Sequence, residues 1–512
     1  MRLSPLLEGI YPLGGLPDVE ILGVAADSRR VKPGDLFIAT RGGTTDGHQF
    51  LPEAAARGAL VLAGENPDPG LGLPYLRVPD SRLFLARAAA AWNGYPSHRL
   101  TMIGVTGTDG KTTTSSLLHH LLESAGVPTG LVTSVSARIG KREVDTGFHV
   151  TTPDPLDLQA LLAEMAGAGM THAVVETTSH GLAQHRVAAC DFDIGVLTNI
   201  THEHLDYHGS YRDYLEAKAK LFEGLAHSAS KPNGIERLAV LNRDDESFPA
   251  VRGRVTVRTA SYGESSQADV RATHVAAGIE GLSFRIHGPA YQLAVRTPLL
   301  GVHNLGNCLA AAAAAIEGLH LSPGHVAAAI HTFLGVPGRM ERVEMGQAFL
   351  AMVDFAHTPN ALGRVLKAAQ GLTAGRVIAV FGAAGLRDRA KRRMMAELSV
   401  RLADDTILTA EDPRTESLDE ILAEMAAGAE AGGGREGSTF WRVPDRGEAI
   451  RQAVRMAAPG DIVLACGKGH EQSMAFGEVE HPWDDRIAMR AALAERLGVE
   501  GPPMPRLPTS RA

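Results

Sequence analysis

Residues 104–114 read Gly104-Val-Thr-Gly-Thr-Asp-Gly-Lys-Thr-Thr-Thr114, and this run decides the fold. The apolar stretch Leu100–Val105 that feeds it has the pattern of a buried strand, and Thr113–Ser124 that of a helix. Strand, glycine turn, Lys-Thr and helix together make a phosphate cradle: backbone N–H groups at the helix start face an anion, Lys111 supplies a point charge, and Thr112 supplies a hydroxyl for Mg²⁺. The match to the strict Walker spacing is imperfect. Its first glycine should fall at position 105, which is Val105; the compact form here is Gly107-Thr108-Asp109-Gly110-Lys111-Thr112, followed by Thr113. A glycine-rich loop that holds no nucleotide is the competing reading. Nucleotide phosphate binding is the expectation.

Outward from the loop, strand-like runs at Ala173–Glu176 and Ile194–Thr198 alternate with helical patterns at Leu156–Ala168 and Tyr211–Leu225. Such alternation predicts a parallel sheet covered on both faces. A β-rich stretch, Asp269–Thr297, reads as an antiparallel addition, and an alanine-rich helix follows Asn304. The pattern restarts after Gly335-Val-Pro-Gly-Arg339, with strands expected at Leu350–Phe355, Val377–Phe381, Asp405–Thr409 and Ile462–Cys466. Before the loop, short strands are expected at Ile21–Ala25, Leu36–Ala39 and Leu60–Ala63. The predicted domains are 1–98, 99–335 and 336–500, with a proline-rich tail, 501–512, expected to be poorly ordered.

At 512 residues the chain has room for about three domains. A hydrophobic content of 44 % with 21 % charged residues is that of a soluble globular enzyme. The net charge of −8 argues against a nucleic-acid binder relying on bulk electrostatics. The basic run Arg387-Asp-Arg-Ala-Lys-Arg-Arg393 is too short to change that, and anion recognition by Arg387 is preferred to a solvated basic face. Cys190, Cys308 and Cys466 are widely spaced, which disfavours a disulfide framework or a structural zinc. The first residues lack the apolar core of a signal peptide, and no run reaches membrane-spanning length. A cytoplasmic protein without membrane insertion is expected.

A second cluster, Thr198-Asn-Ile-Thr-His-Glu-His-Leu-Asp-Tyr-His208, has two chemical readings. His202, His204 and Asp206 could ligate the metals of a dinuclear hydrolase, although the usual His-x-His-x-Asp-His run places its last histidine one position earlier than His208. The other reading is histidines that cap a loop. Glu176 ends a strand, where a carboxylate projects into the crevice above a parallel sheet, or into water. Lys218, by spacing alone, reads as solvated helix surface.

These segments together resemble the Mur ligase family. The resemblance is carried by Gly107-Thr-Asp-Gly-Lys-Thr112, Glu176, Thr198-Asn-Ile-Thr201 with His204, Glu216-Ala-Lys-Ala-Lys-Leu-Phe222, His303-Asn-Leu-Gly-Asn307 and Pro337-Gly-Arg-Met-Glu341. Asp27-Ser-Arg29, Thr151-Thr-Pro153, Ser179-His-Gly-Leu182, Gln184-His-Arg186, Asp354-Phe-Ala-His-Thr-Pro359 and Gly467-Lys-Gly-His-Glu471 resemble its MurE-type branch, almost from end to end of the chain.

The resemblance implies three α/β domains: an N-terminal one for a UDP-sugar, a central P-loop ATPase-like parallel sheet, and a C-terminal Rossmann-like one. It implies an ATP-dependent ligase that adds the third stem-peptide amino acid to UDP-N-acetylmuramoyl-L-alanyl-D-glutamate in peptidoglycan synthesis. Lys218 would be carbamylated, turning an amine into an anionic oxygen ligand. Thr112 and Glu176 would hold one Mg²⁺, and His204 with the Lys218 carbamate a second. Asn304 and Asn307 would contact the adenine side, and Arg339 and Asp354 the nucleotide from the C-terminal domain. Ser28 and Gly43-Thr44-Thr45 would hold the uridine diphosphate end; Thr151, Thr152, Thr178, Gln184 and Arg186 the sugar and dipeptide. The D-Glu γ-carboxylate would take the γ-phosphate of ATP, and an amine would displace it from the acyl phosphate, with His357 a candidate to position or deprotonate that amine. Closure of the C-terminal domain would precede chemistry, and a monomer is the default.

For the amino acid, the resemblance assigns Arg387 to the α-carboxylate and Glu411, Asp412, Pro413, Arg414, Gly467 and Glu471 to the side chain. Members that use meso-diaminopimelate typically carry Asp-Asn-Pro-Arg, where this chain has Glu411-Asp-Pro-Arg414. Arg414 favours diaminopimelate through a bidentate carboxylate contact. Asp412 in place of asparagine favours a bare ammonium, as in L-ornithine or L-lysine, or could pair with Arg414 and withdraw it. Diaminopimelate is the expectation. A folylpolyglutamate-synthetase-like ligase would share the ATP core without Asp27-Ser-Arg29 or the dipeptide motifs.

Overall fold

A computed structural model describes residues 1–42, 45–144, 152–201, 203, 205–232 and 234–510, without the side chains of 205 and 206. The chain forms two compact units: one of Met1–Thr273, Ile286–Leu293 and Gly306–Ala329, the other of His274–Arg285, Ala294–Leu305 and the chain from Ile330.

The first unit holds two sheets. Gly23–Ala25, Asp35–Ile38, Val61–Gly64 and Tyr75–Arg77 lie in that order, all parallel. Successive residues Leu36, Phe37 and Ile38 are all buried, because helices cover both faces. Leu36 and Ile38 pack on Phe84, Leu85 and Ala88 of the helix Ser81–Trp92, whereas Phe37 and Leu62 pack on Leu51 and Ala54 of the helix Leu51–Ala56.

In the larger sheet the strand Thr101–Thr106 lies between His172–Glu176 and Ile194–Leu197, parallel to both. Thr129–Val132 extends it beyond the first, and Leu238–Asn242 then Arg258–Gly263 beyond the second. The register pairs Val105 with Glu176 and Thr106 with Leu197, so the loop, the glutamate and Thr198 leave the sheet at one carboxyl edge. The chain runs from the central strand outward in both directions, and ligands of open α/β sheets gather at that point of reversal. Helix starts follow their sequence signals. Asp154 caps Pro155–Gly167, Thr178 caps Ser179–Ala183, and Ser210 caps Tyr211–Leu225. The β-rich stretch forms Val270–Gly278, Gly281–His287 and Gln292–Thr297, the first entering the sheet in parallel through Tyr262↔Val270. The alanine-rich helix runs His303–Ala313 and ends in a π turn, Ala314–Gly318.

The second unit is built on Leu350–Asp354, Ile462–Cys466, Val377–Phe381, Asp405–Leu408 and Phe440–Arg442, parallel and in that spatial order, with Glu341–Arg342 antiparallel at one edge. The strand Ile462–Cys466, late in the chain, inserts beside Leu350–Asp354. Asp354, Glu411 and Gly467 therefore cluster at the carboxyl edge. Behind it Arg446 and Asp485, both fully buried, form a bidentate pair at 2.6–2.7 Å, and Arg446 also donates to the carbonyls of Ala410 and Cys466. The tail corrects the expectation of disorder. Leu507 is buried against Met489 and Leu493's apolar cluster, and the hydroxyls of Thr509 and Ser510 donate to Asp445 at 3.0 and 2.8 Å. Proline content marked an extended segment, but one leucine and two hydroxyls are enough to dock it.

Candidate active site

Four backbone and side-chain contacts hold the phosphate loop open. Thr108 N donates to Asn199 O at 2.7 Å, and Asp109 N to Asn199 Oδ1 at 3.0 Å. Thr198 Oγ1 and Asn199 Nδ2 both donate to Asp109 O. The glycines are required by space as well as by dihedral. Gly107 and Gly110 sit at φ +152° and +77°, and a Cβ there would fall 1.8 Å from Thr198 Oγ1 and 2.1 Å from Asn307 Oδ1. The helix Lys111–Ser124 starts directly after Gly110, so its first N–H groups and its dipole face the loop.

Thr112 Oγ1 donates to Glu176 Oε2 at 3.0 Å and lies 3.2 Å from Ser134 Oγ; Ser134 N donates to the same carboxylate oxygen. Hydroxyls and a carboxylate are hard oxygen donors, the set that suits Mg²⁺. Lys111 Nζ donates to Thr108 O at 2.9 Å, curled over the loop.

Lys218 is the main departure from the reading by spacing. It is 1 % exposed, not solvated: Nζ donates to Gly107 O at 2.6 Å and stands 4.6 Å above the Tyr214 ring. Burial, reinforced by Lys111, drives its pKa well below the ordinary lysine value against the opposing pull of Glu203, Asp109 and Glu176. Tyr214, one turn earlier on the same helix, also meets Thr108 Oγ1 at 3.1 Å. Tyr214 and Ser134 were missed in the sequence. The i, i+4 spacing of Tyr214 to Lys218 was a usable signal for the first; Ser134, in a loop, carried none.

The dipeptide candidates converge on one side of Glu176. Thr152 Oγ1 donates to Glu176 O, accepts from Thr178 N at 3.0 Å, and lies 3.1 Å from Thr178 Oγ1. Arg186 is held by Gln184 Oε1 and by Thr152 O at 2.7 Å. In the N-terminal sheet, buried Ser28 donates to Glu53 Oε2 at 2.9 Å, and exposed Thr45 accepts from Gly42 N. Asn307 Oδ1 accepts from Thr114 Oγ1. Gly43, Thr44, Thr151, His202 and His204, and the side chain of Asp206, lie outside the described residues. Thr113 takes its place in the first turn of the loop helix.

In the second unit Asn304 Nδ2 donates to Leu300 O at 2.7 Å. Asp354 is buried; its carboxylate accepts from Met340 N and Ala356 N, both at 2.7 Å, which fixes the Pro337–Glu341 turn. Burial raises its pKa, with Arg339 and those two N–H groups opposing. Arg339 lies over the Phe355 ring at 4.6 Å. His357 Nδ1 donates to Phe355 O at 3.0 Å, so in the neutral ring Nε2 is the acceptor nitrogen. Arg387 is exposed. Glu411 is buried with Oε2 unpartnered, and burial pushes its pKa up to about 7. Pro413 is buried, and Gly467 N donates to Asp354 O. The pairing of Asp412 with Arg414 that the sequence allowed does not form. Asp412 Oδ1 accepts instead from Lys468 Nζ and Ala475 N, both at 2.9 Å, since Gly467-Lys-Gly-His-Glu471 leaves the strand Ile462–Cys466 at the same edge, with only Val377–Phe381 between it and Asp405–Leu408.

A nucleotide-phosphate loop on a parallel α/β sheet, with a buried lysine and a strand-end glutamate beside it, defines a class: enzymes that handle a nucleoside triphosphate. Three family matches cover most of the chain: Mur ligase family, catalytic domain at 20–93; Mur ligase middle domain at 105–315; and Mur ligase, glutamate ligase domain at 338–469. A relative from Roseiflexus sp. (strain RS-1), UDP-N-acetylmuramyl-tripeptide synthetase, is 46 % identical over 98 % of this chain and 100 % of its own. UDP-N-acetylmuramoyl-L-alanyl-D-glutamate–2,6-diaminopimelate ligase of Geobacter metallireducens is 40 % identical over 97 % and 99 %. A solved structure of a ligase of that same name superposes with a TM-score of 0.68 at 31 % identity, covering 97 % of this chain and 99 % of that one. The chain belongs to the Mur ligase family, whose members are ATP-dependent amide ligases.

Proposed function

We propose that this chain joins a diamino acid, meso-diaminopimelate, to the D-Glu γ-carboxylate of UDP-N-acetylmuramoyl-L-alanyl-D-glutamate at the expense of ATP. The observation that carries the reading is the convergence of Lys111, Thr112, Glu176 and Lys218 on the glycine loop at one sheet edge. A carboxylate is a poor acyl donor until its oxygen carries a good leaving group, and phosphate from ATP provides one. Lys111 and the loop N–H groups hold the phosphates and spread the charge that develops as the γ-phosphoryl moves. The amine then forms the C–N bond, loses a proton, and phosphate departs. His357 Nε2, an acceptor nitrogen, takes that proton or orients the amine.

Thr112, Glu176, His204 and Lys218 as its carbamate would hold Mg²⁺, which would supply positive charge to offset that of the phosphates and the reacting carboxylate. Lys218 is suited to carbamylation because CO₂ adds only to a neutral amine, and burial, with Lys111 nearby, shifts this one toward the neutral form. Thr152, Thr178, Gln184 and Arg186 orient the dipeptide end, with Thr151; Ser28 and the loop 43–45 take the uridine diphosphate; Asn304, Asn307, Arg339 and Asp354 take the nucleotide. Arg387 binds the α-carboxylate. Arg414, which makes no ion pair among the described residues, receives the distal carboxylate that distinguishes diaminopimelate from lysine or ornithine. Domain limits near 98 and 335 follow this division of labour. A monomer acting in the cytoplasm, where ATP and the UDP-linked substrate are available, is part of this reading. No helix among the described residues is long and apolar enough to cross a membrane.

The test is phosphate release with each substrate omitted in turn. The proposal requires that release need the UDP-sugar dipeptide, ATP and the amino acid together. Phosphate release that ignores the UDP-sugar dipeptide, or ester hydrolysis without ATP, would overturn it.

A further inference from the structure

The candidate amino-acid pocket contains a buried cation that its sequence motif left unassigned. Lys468 is 2 % exposed, and its Nζ lies 2.9 Å from Asp412 Oδ1 and 2.5 Å from Glu471 Oε2. Burial works against its charge, but Glu471 and Asp412 outweigh burial and hold its pKa above the ordinary lysine value. The two carboxylates differ in what remains open to a ligand. Asp412 is mostly covered, and Oδ1 also accepts from Ala475 N at 2.9 Å, whereas the Glu471 side chain is 37 % exposed.

Arg414 stands on the same loop but is held by backbone alone. Its N donates to Ala475 O at 3.1 Å, and Gly477 N donates to its carbonyl at 2.8 Å, which pins the loop to the hairpin Ser473–Phe476 and Val479–Pro482. The guanidinium is left for a ligand. An aspartate at position 412, taken alone, would draw a side chain that ends in an ammonium. With Lys468 on that carboxylate, the far end of the pocket instead presents one open cation, Arg414, and one half-open anion, Glu471. That pair is complementary to a zwitterionic side-chain end.

We propose that Lys468 sets the amino-acid selectivity of this chain by masking the Asp412 carboxylate, so that the pocket takes an amino acid whose far end carries both an ammonium and a carboxylate. The proposal rests on the ligase reading above. Lys468 acts through Asp412 and is a positioning residue.

The test is kcat/KM for meso-diaminopimelate and for L-lysine in the full-length wild type, Lys468→Met, Asp412→Asn and the double variant. Lys468→Met should lower the diaminopimelate-to-lysine ratio about tenfold by unmasking Asp412, and adding Asp412→Asn should return it toward the wild-type ratio. Asp412→Asn alone, which keeps Lys468, should move the ratio by less than about twofold, because the carboxylate it removes is already masked. Equal losses for both amino acids in Lys468→Met, with no recovery of the ratio in the double variant, would reduce Lys468 to a support of the loop and overturn the proposal. So would a strong rise in the ratio for Asp412→Asn alone, a result that needs only a variant with its buried lysine intact. Failure of the ligase reading is seen separately, as wild type that ligates neither amino acid.

Discussion

The glycine loop and the candidate amino-acid pocket are built in opposite ways. The loop is backbone held mostly by neutral groups: Gly107 and Gly110 fit where no Cβ can go, and Thr198 and Asn199 bond its peptide groups through a hydroxyl, a side-chain amide and a carbonyl, with Lys111 and Lys218 donating to two of its carbonyls. The pocket is side chain balanced against side chain, with Glu411, Asp412, Lys468 and Glu471 buried or half-buried beside an open arginine. Neutral contacts and steric fit are insensitive to pH and tolerate almost no change of shape. Charges in a partly dry site tolerate changes of shape but respond to each neighbour's protonation or removal. One region is therefore fixed in shape, and the other can be retuned by single residues.

The sharpest way to break this contrast is Gly110→Ala. The new Cβ would meet Asn307 at 2.1 Å in a left-handed backbone, so ATP-dependent turnover should fall on the order of a thousandfold, with folding retained by circular dichroism. Turnover within a few-fold of wild type would show that the loop is not sterically fixed. Next in size is Lys218→Ala, expected to cost about a hundredfold in kcat. Wild-type enzyme freed of CO₂ should lose activity and regain it with bicarbonate, and the alanine variant should not respond. Full activity of Lys218→Ala would remove the carbamate.

Arg414→Ala belongs to the pocket and should act on one substrate only. The KM for diaminopimelate should rise about tenfold or more while the KM values for ATP and the UDP-sugar stay put. An equal loss for lysine would make Arg414 structural. The smallest effect expected is in stability. Burial raises Glu411 from 4.5 to about 7, so between these values the folded chain keeps a proton that the unfolded chain has lost. Stability from this group is complete below 4.5 and declines as pH rises to about 7. The melting temperature of Glu411→Gln relative to wild type should therefore climb across that window and level off above it. A difference independent of pH would contradict the buried carboxyl.

The same contrast explains what the sequence revealed. Gly107 to Thr112 is contiguous, and each residue's role follows from local geometry, so the strand, loop and helix could be placed within a residue or two. Val377–Phe381 and Tyr211–Leu225 were legible for a like reason: apolar runs and periodicity are local properties. Lys218 was not. Its burial depends on the Gly107 carbonyl, far away in sequence, and the residues around it look like an ordinary charged helix; only the family resemblance singled it out. The partner of Asp412 was hidden similarly. Arg414 was near in sequence and Lys468 near in space, and strand order chose between them. The tail was misread because Leu507 finds its cluster through tertiary packing that composition cannot show.

The most direct test offers the enzyme ATP, Mg²⁺ and UDP-N-acetylmuramoyl-L-Ala-D-Glu with meso-diaminopimelate, L-lysine and L-ornithine in one mixture, and weighs the nucleotide product by mass spectrometry. The account predicts a single new species, the diaminopimelate tripeptide, formed in step with ADP. A lysine or ornithine tripeptide would contradict the open-arginine pocket, and an unchanged dipeptide would contradict the ligase itself.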